Sequence, residues 1–166
     1  MAARFVVSTV LVGLVSVSAA AGPAPAPPAP SGGAQPAAAA PGTPAPPEVV
    51  AELQQALAHA VDRFERMDAE GVLASVSDRY RTGPLTKPAL RQQLLALFAT
   101  YDALHARVRI DGVRMIDGRA WVTSTGEVTG RLRWLGTPMT VLAWTREPEV
   151  AWREAGRWRL IGDQQP

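Results

Sequence analysis

The sequence predicts an α+β roll in which three N-terminal helices pack in a strongly curved antiparallel sheet. Three observations carry this. From Val50 to Tyr101 apolar residues recur every three or four positions, the spacing of amphipathic helices. After His105 the period becomes two, and Asp117-Gly118 falls between β-branched and aromatic runs as the favoured turn of a tight hairpin. Asp111-Gly112 and Pro148 interrupt otherwise long strands, as bulges and edges do where a sheet bends.

The chain has 166 residues, enough for one domain with appendages at its N-terminus. Residues 1–21, "MAARFVVSTVLVGLVSVSAAA", hold one early cation, Arg4, an uncharged apolar run from Phe5 to Val17, and Ala19 to Ala21 at the end. That order predicts a secretory signal peptide cleaved after Ala21, and hence a secreted or periplasmic bacterial protein. The apolar run is shorter than the roughly 20 residues of a membrane span, so no stable membrane insertion is expected after cleavage; an uncleaved anchor is the alternative. There is no cysteine, which excludes disulfides and lipid attachment through an N-terminal Cys. Residues 22–47 hold only Gly, Pro, Ala and small polar residues. They cannot bury enough surface to offset their ordering entropy, and are expected to form a disordered, semi-stiff linker.

The folded domain is expected over 48–166. Val50, Leu53, Leu57, Val61, Phe64 and Met67 make the stripe of a first helix, which points His59 to solvent. Asp68 is the N-cap of a short second helix, and Thr86 caps a third, with Pro88 in its first turn and a stripe of Leu90, Leu94, Leu97, Phe98 and Tyr101. In the hairpin that follows, pairing outward from Asp117-Gly118 sets Met115 by Ala120 and Val113 by Val122. A bulge at Asp111-Gly112 keeps Val108 and Ile110 on the same face, with Arg107, Arg109 and Arg114 outward and Val122, Ser124, Gly126 and Val128 inward. A third strand runs from Met139 towards Trp152, and a closing hairpin turns through a three-residue loop, Glu154-Ala155-Gly156.

The stretches "MDAEGVLASVSDRY", "TKPALRQQLLALF", "IDGRAWVTSTGEVTG" and "GRWRLIGDQ", taken in that order, resemble the nuclear transport factor 2-like superfamily, with its ketosteroid isomerase-like and SnoaL-like members, over Glu48 to Gln164. The resemblance implies a cystatin-like, cone-shaped domain with a pocket between sheet and helices, and often a homodimer formed through the sheet. It also includes members without any chemistry.

No catalytic set is evident. Without Cys and with only His59 and His105, the usual nucleophiles and bases are nearly absent. Asp78, Tyr80, Glu127 and Asp163 are the acid–base candidates, but the register sets Glu127 against Arg107 on the outer face. Arg109 and Asp111 invite comparison with epoxide hydrolases, which hold an Arg between two acids; a second acid is not identifiable. The five Trp, at 121, 134, 144, 152 and 158, all lie in the sheet half, where most are expected to pack or cover the sheet, Trp144 on the outside near Arg131. Trp158 and Leu160 are expected in the core.

Ser124 and Gly126 leave inward room that Phe64 and Tyr101 either fill or leave open, so the expected pocket residues are Phe64, Tyr80, Tyr101, Ser124, Gly126 and Trp158. Lys and Arg number 17 against 15 Asp and Glu, without a basic cluster, which argues against nucleic acid. No phosphate-binding loop or metal-ligand spacing occurs, and no cofactor or metal is expected. Three functions remain: a non-catalytic, exported binding or accessory domain for a small apolar ligand, a small isomerase, cyclase or dehydratase acting on such a ligand, and a structural module that dimerises through its sheet.

Overall fold

A computed structural model describes residues 42–162. The leader at 1–21, the linker up to Pro41, and Asp163 lie outside the described residues. In chain order the elements are β1 (Thr43–Pro44), α1 (Pro47–Glu65), α2 (Ala69–Leu73), β2 (Arg81–Thr82), β3 (Leu85–Thr86), α3 (Lys87–Thr100), β4 (Tyr101–Ile116), β5 (Arg119–Leu132), β6 (Pro138–Glu154) and β7 (Arg157–Leu160). Strands β1-β4-β5-β6-β7 form one antiparallel sheet in that order, and β2 with β3 a small separate ribbon. This is the predicted α+β cone, three helices against a curved antiparallel sheet.

The helices begin where local chemistry lets them. Pro47 opens α1, where a missing amide hydrogen costs nothing, and Glu48 follows in the positively charged first turn. Leu53 and Phe64 are buried and His59 is exposed, as the stripe requires. Asp68 caps α2 by accepting from the Gly71 amide at 2.9 Å. Thr86 takes the cap position of α3 without a side-chain cap bond. Tyr101, expected on the α3 stripe, instead opens β4, and its buried ring packs near Gly130 of β5.

The β4–β5 register is the predicted one. Met115 pairs with Ala120, Val113 with Val122 and Arg107 with Glu127, and the register shifts between Ile110 and Gly112. Asp117 and Gly118 both have positive φ, 49° and 73°, as a two-residue type I′ turn demands. Glu127 accepts from Thr140 Oγ1 at 3.0 Å rather than closing an ion pair with Arg107. Pro148 faces Thr123, beyond the stretch of β6 from Ala151 to Glu154 that β7 flanks, so its missing amide donor falls on the edge.

Three expectations are corrected. The closing turn has two residues, not three: Glu154 pairs with Arg157, and Ala155 (φ 48°) takes a left-handed conformation beside Gly156 (φ 77°). The end of the linker is ordered, because Thr43 and Pro44 pair with Met115 and Arg114, the Ala45 amide donates to the Val113 carbonyl at 3.1 Å, and the Arg114 guanidinium donates to the Gly42 carbonyl. The free edge of β4 thus offers Pro/Ala-rich chain the backbone partners that its side chains cannot. Finally, β6 carries a further bulge, with Ser124 opposite Glu147 but Gly126 opposite Trp144; Arg146 in this segment has φ 53°.

The core is split. One buried cluster joins Phe64, Leu73, Val76, Tyr80, Leu90, Leu94, Leu97, Leu104, Val128 and Trp144; a smaller one joins Leu53, Val113, Ala120 and Ala151 near the hairpin end.

Candidate functional site: an apolar chamber between helix and sheet

A cavity of about 170 Å³ lies where the two clusters meet. Leu57, Ala60, Val61 and Phe64 of α1 form one wall, and Val108, Ile110, Val122 and Val128 of the sheet form the other. Leu90 and Leu94 of α3 also reach it. Small side chains make the room: Ala56 and Ala60 on the helix face Ala106 and Ala151 on the sheet, where larger residues would interdigitate. That explains why Leu57 and Val61, in mid-stripe on α1, are only half-buried.

The polar groups at the rim are mostly engaged. Trp144 Nε1 donates to Ser124 Oγ at 3.2 Å within the buried wall. Trp158 Nε1 donates to Glu52 Oε2 at 2.7 Å, and the other Glu52 oxygen accepts from Arg153 at 3.0 Å. Trp158 and Leu160, expected in the core, are half-buried at this wall, and Trp158 carries the Arg153 guanidinium 5.7 Å from its ring centre. Glu149, opposite Val122 on β6, and Arg159 of β7 are the charged residues of the lining.

Of the six expected pocket residues, Phe64, Ser124 and Trp158 line the chamber. Gly126 does not: the Trp144 ring covers it, and a Cβ there would also come within 2.8 Å of the Arg107 carbonyl. Tyr80 and Tyr101 are buried outside the lining, Tyr101 because it belongs to the strand rather than to the helix stripe. Trp144 corrects the opposite way. Expected outside near Arg131, it is 6% exposed and inward, because the β6 bulge reverses the alternation between Glu147 and Trp144. Glu149 and Trp144 were the residues that pattern reading missed. The signal for Trp144 is volume, since the small Ser124/Gly126 pair calls for one large neighbour; Glu149, next to Pro148, carries no such signal.

The acid–base candidates stand apart from the chamber. Asp78 is exposed and accepts from Lys87 Nζ at 2.7 Å, which holds its carboxyl below the usual value, first through that hydrogen bond and then through the nearby charge. Arg109 donates to Asp111 at 3.0 Å, but Asp111's other partner is the Thr125 hydroxyl at 2.5 Å, not a second acid, and the Arg109 side chain is largely exposed. His105 is exposed, 3.8 Å from Glu65. Among the described residues no group of three His, Cys, Asp or Glu side chains could hold a metal ion.

No protein-family model matches the chain, and no curated protein matches its sequence. Solved structures do match. A conserved protein from Planctomyces limnophilus superposes with a TM-score of 0.60 at 11% identity, covering 69% of this chain and 91% of that one. A protein of the nuclear transport factor 2-like family from Streptomyces avermitilis gives 0.57 at 14% identity, covering 70% and 94%. A ketosteroid isomerase-like protein from Erwinia carotovora atroseptica gives 0.51 at 20% identity, covering 69% and 92%. The α+β cone is thus a fold shared with these proteins. It is the nuclear transport factor 2-like fold.

Proposed function

We propose that the chain is a non-catalytic binding or accessory domain that takes a small apolar ligand into the chamber between α1 and the sheet. The observation that carries this is the chamber itself, about 170 Å³ and walled by Leu, Val, Ile, Ala, Phe and Trp side chains. An apolar cavity of roughly 150 Å³ stays dry and binds benzene, so one ring or a short branched chain suits this space. Export through residues 1–21, a spacer role for the linker and a dimer through the outer sheet face are further parts of the proposal, resting on the leader, the Pro/Ala composition and the resemblance.

One observation favours a second reading. The Glu149 carboxylate at the lining would serve an isomerase or dehydratase as a base, although such chemistry wants a hydrogen-bond donor across the substrate and both Tyr80 and Tyr101 lie elsewhere.

Toluene titration followed by thermal melting tests the binding reading. Saturating ligand is expected to raise the melting temperature, by about 2.7 kcal/mol of stabilisation at a hundredfold excess over Kd. Ala60→Leu, which fills the chamber, is expected to abolish the rise while remaining folded, and Glu149→Gln is expected to retain it. A wild type that does not respond near the solubility limit of toluene, or an Ala60→Leu variant that responds equally, contradicts the proposal. Turnover of an apolar ketone lost in Glu149→Gln would favour the enzyme.

A further inference from the structure

The turn that joins β5 to β6, residues 133–137, is fixed at its base and apolar at its apex. The Leu132 amide donates to the Thr137 carbonyl at 3.4 Å and the Gly136 amide to the Leu132 carbonyl at 2.9 Å, with Gly136 supplying the positive φ of 64°. Arg133 then ties the turn to the end of α3. Its amide donates to the Thr100 carbonyl at 3.1 Å, and its guanidinium to the carbonyls of Ala99, Phe98 and Tyr101 at 3.2, 3.2 and 3.1 Å. These are the acceptors that a helix leaves without intrahelical partners at its C-terminus.

At the apex of this anchored turn Trp134 is 79% exposed and Leu135 73%, and Met139 at the start of β6 is 44% exposed. Single apolar side chains on a surface are ordinary. Two consecutive large ones on a turn held this firmly, with a third four residues on, make a patch that the fold presents to solvent rather than hides. The charge around it has one sign. Between Gly130 and Met139 the chain carries Arg131 and Arg133 and no acid. Asp102 accepts from Arg131 at 2.8 Å and also feels the Arg133 charge, so one carboxylate answers two guanidinium groups.

The shape and the charge select among partners. A protein would have to seat this apex in a matching hole, and three side chains offer only a few hundred Å², well under the roughly 800 Å² per partner of a stable protein interface. A bilayer needs no matching shape. Its headgroup region takes indole rings, its hydrocarbon edge takes Leu and Met, and anionic headgroups complement the excess guanidinium charge.

We propose that the β5–β6 turn is a docking tip for an anionic lipid surface, with Trp134 and Leu135 entering the interface and Arg131 and Arg133 behind them at headgroup level. The contact is peripheral, since among the described residues no helix is long and apolar enough to cross a membrane. None of these residues lines the apolar chamber, so the tip does not depend on the binding reading.

A dye at the apex provides the test, because the chain has no cysteine and Leu135→Cys gives it a unique attachment point. The dye is one whose emission rises on leaving water, and the probes are vesicles of equimolar phosphatidylglycerol and phosphatidylcholine, and of phosphatidylcholine alone. On the full chain, the dye at 135 is expected to brighten with the mixed vesicles, while the same dye at His59→Cys, exposed on α1, stays as in water. Residues 5–17 are apolar and bring the whole chain to a vesicle without the tip, so the contrast between the two dye positions is the readout rather than co-sedimentation. Trp134→Ala in the labelled protein is expected to raise the lipid concentration at half-response at least about tenfold. High salt or phosphatidylcholine alone is expected to weaken the response as well. Equal brightening at both dye positions, no effect of Trp134→Ala, or an equal response to phosphatidylcholine alone overturns the proposal. Brightening that grows with protein concentration and needs no lipid makes a second copy the partner, and overturns it too. The contrast between the dye positions decides the matter even if the Trp134→Ala variant fails to fold.

Discussion

Gly126 shows how one residue sets the wall of the chamber. Its missing side chain is the space into which the Trp144 ring fits, tied by its indole N–H to Ser124, so the room that sequence reading assigned to ligand is occupied by protein. Gly126→Ala is therefore expected to cost about 1–3 kcal/mol, as overpacking does, and to lower the melting temperature by several degrees. An unchanged melt would show that Trp144 can leave its seat freely. A pH prediction belongs to the same scale. Asp78 and Asp102 are held below the ordinary aspartate value of 3.8, each chiefly by a hydrogen bond, from Lys87 and Arg131 respectively. A lowered folded pKa stabilises above the unfolded pKa, and the contribution fades as pH falls through the folded one. The melting-temperature gap between wild type and an Asp78→Asn, Asp102→Asn variant is expected to be steady from pH 7 to about pH 5 and to close below 3.8. A gap that persists at pH 2 would assign the loss to something other than charge. Both aspartates are on the surface, so the effect is small.

Elements were legible where one local rule decided them. The Asp117-Gly118 turn follows from its need for two positive φ values, and the Asp111-Gly112 bulge from the requirement that Val108 and Val113 share a face. The β6 bulge was not legible, because no glycine marks it and Arg146 adopts positive φ under the pull of its neighbours, its amide donating to Thr125 Oγ1 at 3.0 Å. Missing that bulge misplaced Trp144, whose ring covers Gly126 and keeps it out of the chamber lining. The short β1 was hidden for another reason: it is held by backbone pairing to an open edge, which composition cannot reveal. Removing residues 1–41 is expected to leave the melting temperature unchanged, whereas removing 1–46 is expected to lower it by several degrees through loss of the β1 pairing. Equal melts for both truncations would make β1 an incidental contact.

At the scale of the whole molecule, the helices and the curved sheet fail to merge their two cores, and the gap between them is the chamber. Its existence was anticipated from small inward residues, but its true position depended on which faces of α1 and the sheet oppose one another, a tertiary fact that periodicity does not contain. The residues that open it are alanines, the least conspicuous in a chain so rich in them. The most direct measurement is a methyl NOESY spectrum of the protein with bound toluene. Ring protons are expected to show cross-peaks to the methyl groups of Leu57, Val61, Val108 and Val128, which line the chamber, and none to those of Leu97, which is buried outside it. Cross-peaks confined to the exposed Leu135, or none with any chamber methyl at saturating toluene, would contradict the central claim that the space between α1 and the sheet is a ligand site.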